Sequence, residues 1–198
     1  MRVRRVLRLR LTMGDADVTR TLEVVRLGHP VLREVAEPVP EDWFASGRLH
    51  ELARDLIHTM LAEEGVGLAA PQVAEGLRLF AYWLPATVDS DEVAPAVLVN
   101  PEIRPIGDEL VEGWEGCLSI PGLRGLVPRF PRLKVRARDI EGRPVSFTAD
   151  GFHARVIQHE NDHLDGIVFL DRMRSVQSLA FEPEWERFVL ADADDDET

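Results

Sequence analysis

Two histidines and a glutamate have the spacing of a metal site in the segment 159–163, which reads HENDH. On a helix, positions i and i+4 lie on one face, so His159 and His163 can both reach one ion. Glu160 follows the first histidine, where a carboxylate can act as general base on a metal-bound water. The alternative is two packed histidines, but burying them with a glutamate and no partners would be costly. The segment therefore predicts a metal site suited to hydrolysis.

A catalytic metal usually has three protein ligands and one open position, so a third ligand must come from elsewhere. The residues alone leave several candidates: Cys117, downstream carboxylates, His29, His50, His58 and His153. Cys117 is the only cysteine of the chain and cannot form an internal disulfide. Its thiolate would bind a metal firmly, although a buried inert thiol fits its segment equally well.

A third segment, 65–72, reads GVGLAAPQ and ends in a neutral amide donor, Gln72. Its glycines and alanines give the backbone little side-chain cover, so the main chain of a ligand could approach closely. The glycines do not have the spacing of a phosphate-binding loop. A tight helix-to-strand connection is the alternative interpretation of this segment.

Hydrophobic periodicity predicts the elements that position these groups. Apolar residues at helical spacing predict an amphipathic helix over 49–61, with Ser46 as its N-cap and Gly65 beyond its end. On this helix, histidines are expected to face solvent. Short β-strands are expected at 79–84 and 96–99, the second ending before a proline.

Alternation of apolar and basic residues over 133–140 predicts a strand with one wet face, and 145–148 can return as its hairpin partner. Asp150 is expected to cap a helix that runs to about Leu164, and a short helix is expected over 184–190. The absence of βαβ alternation favours an α+β fold. We expect antiparallel β-sheets packed around a central helix that carries the HExxH motif.

Composition limits the possible partners. The 198 residues carry a formal net charge of −12, which repels phosphate backbones, so no direct nucleic-acid partner is expected. No apolar run approaches the roughly 20 residues of a membrane-spanning helix, so no membrane partner is expected either. A single cysteine fits a reducing compartment such as the cytoplasm.

Three parts of the chain are expected: a flexible N-terminal extension over 1–22, a single catalytic domain over 23–190 and an acidic disordered tail over 191–198. The start of the chain is rich in arginine. We interpret it as a frayed tail, or as sequence upstream of a start at Met13, rather than as an organellar leader.

Three segments resemble, in order, the three signature motifs of the peptide deformylases. They are 65–72 (GVGLAAPQ), 115–119 (EGCLS) and 158–166 (QHENDHLDG). The resemblance runs from about Leu27 to Asp171 and so covers most of the chain. It implies that the chain removes formate from the N-formylmethionine of newly synthesised polypeptides.

The resemblance also implies the residues of the metal site. One divalent ion, usually Fe²⁺, with Ni²⁺, Co²⁺ or Zn²⁺ as possible substitutes, would bind Cys117, His159 and His163. Glu160 would be the acid–base, while the Gln72 side chain and the Leu118 backbone N–H would stabilise the oxyanion.

The resemblance further implies a peptide-binding cleft in which the backbone near Gly67 pairs with the substrate as an added strand. Apolar residues would receive the methionine side chain, Glu115 would orient other site groups, and Arg124 would lie near the bound peptide. An ordinary surface charge is an equal alternative for Arg124. The eight residues assigned to this cleft are Val66, Gly67, Trp114, Glu115, Gly116, Arg124, Phe152 and Val156.

Formylated nascent peptides are the implied partners, and the ribosome would then be a partner as well, in the bacterial cytoplasm. Family members dock on the ribosome through a basic C-terminal helix, whereas residues 182–198 of this chain are largely acidic. That docking mode is therefore not expected here.

Two rival functions stay open. A metallopeptidase would share the two histidines and the glutamate but would normally take His or Glu as third ligand. A structural zinc site would need four protein ligands and would have no use for Glu160 beside the metal.

Overall fold

The computed structural model describes residues 19–86 and 92–190. The predicted acidic tail and most of the predicted N-terminal extension lie outside these residues. Of the extension, residues 19–22 are described, and two of their backbone amides donate to side chains: Arg20 N to Asp55 and Leu22 N to Thr59, at 3.2 and 2.9 Å. The end of the predicted extension is thus hydrogen-bonded to the domain.

The described residues form five α-helices and eight β-strands. The helices are α1 (Glu41–Ala45), α2 (Arg48–Ala62), α3 (Gly151–Leu164), α4 (Phe169–Arg172) and α5 (Glu182–Trp185). The strands are β1 (Gly67–Ala69), β2 (Leu79–Leu84), β3 (Val93–Pro105), β4 (Val111–Cys117), β5 (Ile120–Arg129), β6 (Arg132–Arg138), β7 (Pro144–Asp150) and β8 (Ala180–Phe181). Short 3-10 turns cover Pro30–Arg33, Ala70–Val73 and Val176–Ser178, and a π-helical turn covers Glu186–Leu190.

Two antiparallel sheets result. The first has five strands in the order β1-β2-β3-β6-β7, and the second has three in the order β4-β5-β8. The predicted α+β fold with antiparallel sheets is therefore confirmed. Within the described ranges, no helix combines the length and hydrophobicity needed to cross a bilayer.

Helices α2 and α3 cover opposite faces of the five-stranded sheet. On β2, Phe80 points into the core shared with α3, whereas Ala81 points into the core shared with α2. This alternation follows from the period of two along a strand. Helix α3 buries ten of its fourteen residues, because it also lies against β5 of the second sheet. Helix α3 is thus packed between the five-stranded sheet and β5.

Several element boundaries match the patterns, and others differ for identifiable reasons. Strand β2 has the predicted bounds, and α3 begins after the predicted cap, Asp150. The predicted N-cap Ser46 is wrong: Ser46 ends α1, and α2 starts after Gly47, which has a left-handed φ of 74°. Glycine adopts this conformation without steric cost, so the chain reverses there rather than one residue earlier.

Strand β3 extends well past the predicted 96–99 and passes through Pro101. It does so because Asn100 takes a positive φ of 50° and the register shifts between Val99 and Glu102, which forms a bulge at the proline. At the other end of the chain, the expected helix over 184–190 instead begins at Glu182, with Pro183 in its first turn, and continues as a π-helical turn.

Candidate metal centre and substrate cleft

Helix α3 presents His159 and His163 on one face, with ring centroids 5.1 Å apart. His163 is fully buried and His159 nearly so. The i, i+4 spacing produces this geometry because both positions lie on the same side of a helix. The predicted helix therefore positions two imidazoles together.

Cys117 reaches the two histidines from the other sheet. It ends β4 at the hairpin to β5, where it pairs with Ile120. Its Sγ lies 3.3 Å from Nε2 of His163, and donor atoms of Cys117, His159 and His163 all lie within 4.8 Å of one another. A sulfur and two imidazole nitrogens so close together fit one first-row divalent ion. Within the described residues, Cys117 is the candidate for a third ligand whose donor atom lies beside both histidines.

Glu115 fixes the orientation of His159. Its Oε2 lies 2.9 Å from Nδ1 of His159, and Arg129 donates two hydrogen bonds to the carboxylate, both of 2.9 Å. Arg155 donates a further bond of 2.9 Å to Oε1. Burial raises the pKa of Glu115, but the bonds from Arg129 and His159 outweigh it and lower the pKa to about 2. An ionised Glu115 holds Nδ1–H as the donor, which leaves Nε2 of His159 for a metal.

Glu160 is buried beside the histidines, and its Oε2 has no hydrogen-bond partner among the described residues. Burial raises the pKa of Glu160 to about 7, against the opposing effect of His159. Gly67 on β1 lies directly against it, because a Cβ at that position would be 2.2 Å from Oε1 of Glu160. Glycine at 67 therefore makes room for this carboxylate.

Gln72 lies beside Cys117. Its Oε1 accepts from the backbone N–H of Ala69 at 2.8 Å, and its Nε2 donates to Ser119 Oγ at 3.2 Å and to Cys117 Sγ at 3.4 Å. The amide is thus held with its donor end at the metal site. The side chain of Leu118 lies near Gly65, at the same wall.

A cavity of about 750 Å³ opens over these groups. It is bounded by β1, the β4–β5 hairpin, the first turns of α3 and the start of α5. All eight residues assigned to the peptide-binding cleft line it: Val66, Gly67, Trp114, Glu115, Gly116, Arg124, Phe152 and Val156. Phe152 is 55% exposed at the rim, whereas Val156 is buried.

The histidines outside the motif lie elsewhere. His29, His50 and His58 are exposed, the last two on α2 as expected. His153 stacks between Tyr82 and Phe147, with ring centroids 5.3 Å from each. Burial lowers the pKa of His153, which favours a neutral packed ring.

Three residues of the site were not predicted: Ser119, Arg129 and Arg155. Ser119 stands inside the second motif, but its contact with Gln72 depends on two distant segments meeting. Arg129 and Arg155 look like ordinary surface charges in the sequence. In the structure Arg129 is 5% exposed and joins Glu115 to Asp162, at 2.9 and 2.5 Å. No local pattern distinguishes a buried arginine from a solvated one.

Comparison with known proteins agrees with this geometry. Residues 21–178 match the family model described as Polypeptide deformylase. The chain belongs to the polypeptide deformylase family. Members of this family are hydrolases that use a single catalytic metal and remove N-formyl groups from nascent polypeptides.

Bacterial deformylases are similar to this chain over most of its length. It is 41% identical over 162 residues to Peptide deformylase 2 of Pseudomonas putida, covering 80% of this chain and 91% of that protein. It is 44% identical over 164 residues to Peptide deformylase 1 of Xanthomonas campestris, covering 81% and 94%.

Solved deformylases also share the fold. A class I type b peptide deformylase from Acinetobacter baumannii bound to Met-Ala-Ser is 39% identical, with a TM-score of 0.74, over 79% of this chain and 100% of that one. The Thermotoga maritima peptide deformylase is 36% identical, with a TM-score of 0.70, over 79% and 99%.

Proposed function

We propose that this deformylase releases formate from N-formylmethionine with Cys117, His159 and His163 as ligands of one divalent ion and Glu160 as acid–base. The convergence of the three donor groups within 4.8 Å, beside a buried carboxylate with a free oxygen, carries the proposal. The three proposed ligands come from β4 and α3, which are separate in the chain. Packing of a hydrophobic core does not require a thiol and two imidazoles to meet in this way.

Fe²⁺ is the ion we propose, with Ni²⁺, Co²⁺ or Zn²⁺ able to substitute, since one thiolate and two imidazoles suit several first-row ions. When bound, the ion supplies Lewis acidity that makes a water nucleophilic at neutral pH. Glu115 keeps His159 oriented, and its hydrogen bonds with Arg129 and His159 keep Glu115 ionised. Helix α3 is, in this proposal, the central element around which the sheets hold the site.

Glu160 carries the proton between the two halves of the reaction. A carboxylate whose pKa lies near the working pH can both accept a proton and return it. In the protein without an ion, burial raises the pKa of Glu160 to about 7. It would take a proton from the attacking water and pass it to the departing amine. Gly67 allows the Glu160 carboxylate to lie directly against strand β1.

Gln72 and Leu118 would stabilise the oxyanion that develops on the formyl group. Such donors are effective when they are oriented before the reaction. The Gln72 amide meets this condition because Ala69 N–H anchors its oxygen at 2.8 Å and leaves the NH₂ group facing Cys117. Leu118 follows Cys117 in the hairpin, so its backbone N–H is available at the same place.

The peptide would lie along β1. This strand ends the five-stranded sheet, so one of its edges has no strand partner among residues 19–86 and 92–190, and the strand borders the cleft. An extended peptide can add to such an edge through main-chain hydrogen bonds. The similar Acinetobacter enzyme binds Met-Ala-Ser.

Residues 23–190 would act as one catalytic domain on formylated nascent chains in the bacterial cytoplasm. Ribosome contact would use a surface other than a basic C-terminal helix, because α5 and the following turn contain Glu182, Glu184 and Glu186. The acidic character of this end would repel ribosomal RNA.

The Glu160→Ala variant tests the proposal. Loss of a general acid–base typically costs about 10²–10⁴-fold in rate, so formate release from formyl-Met-Ala-Ser should fall by that factor while metal content stays unchanged. Glu109→Ala, at an exposed position between β3 and β4, serves as the control and should keep full activity. Full formate release by Glu160→Ala would reject the mechanism, and cleavage of unformylated peptides by the wild type would favour a metallopeptidase.

A further inference from the structure

The C-terminal segment, Ala180–Leu190, forms part of the cleft wall. Strand β8 adds to the edge of β5, with Arg124 opposite Ala180 and Leu123 opposite Phe181. Glu182 follows immediately and lines the cavity. The second sheet therefore joins the β4–β5 hairpin to the C-terminal segment.

This segment holds two cleft residues in place. Glu182 accepts a hydrogen bond of 2.9 Å from Arg124 Nε and a second, shorter one from Nη2. Trp185 lies against Trp114, with centroids 6.0 Å apart, and its ring lies 5.3 Å from the Arg124 guanidinium. The guanidinium also lies over Gly116, where a Cβ would be 2.7 Å from Nη1. The position of Arg124 is thus set by C-terminal residues.

Pairing with Glu182 changes what Arg124 can offer a substrate. The two side chains are 35% and 37% exposed, so both charges face the solvent of the cleft. A carboxylate on the guanidinium cancels its attraction for an acidic peptide side chain. Apart from Arg124, Glu182, Glu115, Glu160 and His159, the described charged residues that line the cavity are three carboxylates, Glu23, Glu63 and Glu64, and two guanidinium groups, Arg26 and Arg155.

In the proposed function the formyl group lies at Cys117 and the two histidines, and the residues that follow methionine occupy the rest of the cavity, which Arg124 and Glu182 also line. We propose that Glu182 is a specificity-determining residue, which makes this deformylase prefer formylated peptides with a basic residue shortly after the methionine. This inference rests on the proposed function. It gives the cleft a preference for basic over acidic peptide residues, which neither the metal site nor the methionine pocket provides.

The test compares three amidated peptides: formyl-Met-Ala-Lys, formyl-Met-Ala-Glu and formyl-Met-Ala-Ser. For partly exposed charges, we expect kcat/KM to favour the lysine peptide over the glutamate peptide by about three- to tenfold at low salt. At about 0.5 M NaCl screening should remove most of that preference. A lysine-to-glutamate ratio near one at low salt, or a ratio that salt leaves unchanged, would overturn the proposal.

Variants locate the effect. Glu182→Gln should bring the ratio close to one, whereas Arg124→Gln should raise it, because Glu182 would lose its counter-charge. Glu184→Gln, exposed on the same helix and outside the cavity, is the matched control and should leave the ratio as in the wild type. An unchanged ratio in Glu182→Gln, or a ratio that does not rise in Arg124→Gln, would refute the assignment. Turnover of the serine peptide separates this failure from failure of the proposed function, in which no formylated peptide would be processed.

Discussion

At the scale of single residues, the site depends on close contacts between side chains. Glu115 is enclosed by hydrogen-bond donors, and Glu160 fits only because residue 67 is a glycine. Glu115 on β4 receives hydrogen bonds from Arg129 on β5 and from Arg155 and His159 on α3. On β1, Gly67 leaves the space that Glu160 fills. The orientation of the proposed ligand His159 and of the proposed acid–base Glu160 thus depends on neighbours outside the proposed ligand set.

Gly67→Ala tests the close approach at Glu160. The added Cβ would lie 2.2 Å from Oε1 and 2.5 Å from Cδ, so the carboxylate must move. A displacement of about 1 Å can cost roughly 10²-fold in rate, and we expect kcat for formate release to fall by about that factor with metal content unchanged.

Gly76→Ala is the control for this prediction. A Cβ added at Gly76 would have no heavy atom within 4 Å, and the residue has no positive φ, so the substitution should leave the rate unchanged. Wild-type activity in Gly67→Ala would show that Glu160 is not held by this contact.

At the scale of elements, buried ion pairs connect the two sheets through α3. Arg129 on β5 binds Glu115 on the neighbouring strand and Asp162 on α3, and Arg172 on α4 reaches the other oxygen of Asp162 at 2.7 Å. Arg155 on α3 in turn donates to backbone oxygens of β4 and β5, at Val111, Gly113 and Val127. These bonds keep the hairpin that carries Cys117 against the helix that carries the histidines.

Removing Arg129 should therefore destabilise the protein strongly. Arg129→Met removes the buried guanidinium that contacts both Glu115 and Asp162, and deleting one partner of a buried ion pair costs about 3–5 kcal/mol, so the free energy of unfolding should fall by about that amount. Arg174→Met removes a guanidinium from an exposed pair with Glu112 at 3.4 Å, so it should change stability by less than about 1 kcal/mol. Urea unfolding of both variants measures the difference, and equal losses would show that the buried network is not stabilising.

At the scale of the whole molecule, the proposed ion connects two separate parts. Cys117 belongs to the three-stranded sheet, and His159 and His163 belong to the helix packed on the five-stranded sheet. An ion that binds the folded state and not the unfolded chain stabilises the fold by mass action. Metal binding is therefore expected to stabilise the packing of one sheet on the other.

Metal removal should lower the melting temperature. An ion present at about 100 times its Kd contributes about 2.7 kcal/mol, which corresponds to roughly 6–10 °C in a protein of this size. A chelator should thus lower the Tm of the wild type by that amount, and Cys117→Ser should start near the lowered value with little bound metal. A chelator that shifts both proteins equally would reject Cys117 as a ligand.

The sequence by itself determined the features that repeat over a few residues. The period of two and the helical period predicted β2, the β6–β7 hairpin and α3, because backbone geometry alone decides which side chains share a face. The spacing of His159 and His163 predicted their convergence for the same reason. The three motifs also identified the family before any distance was known.

Tertiary structure decided everything that joins distant segments. It brought Cys117 to the histidines, buried Arg129 between two carboxylates and placed the C-terminal segment on the cleft wall. It also extended β3 through a proline by means of a bulge at Asn100. Such contacts depend on how whole elements pack, and a local pattern contains no information about which partner a side chain will meet across the fold.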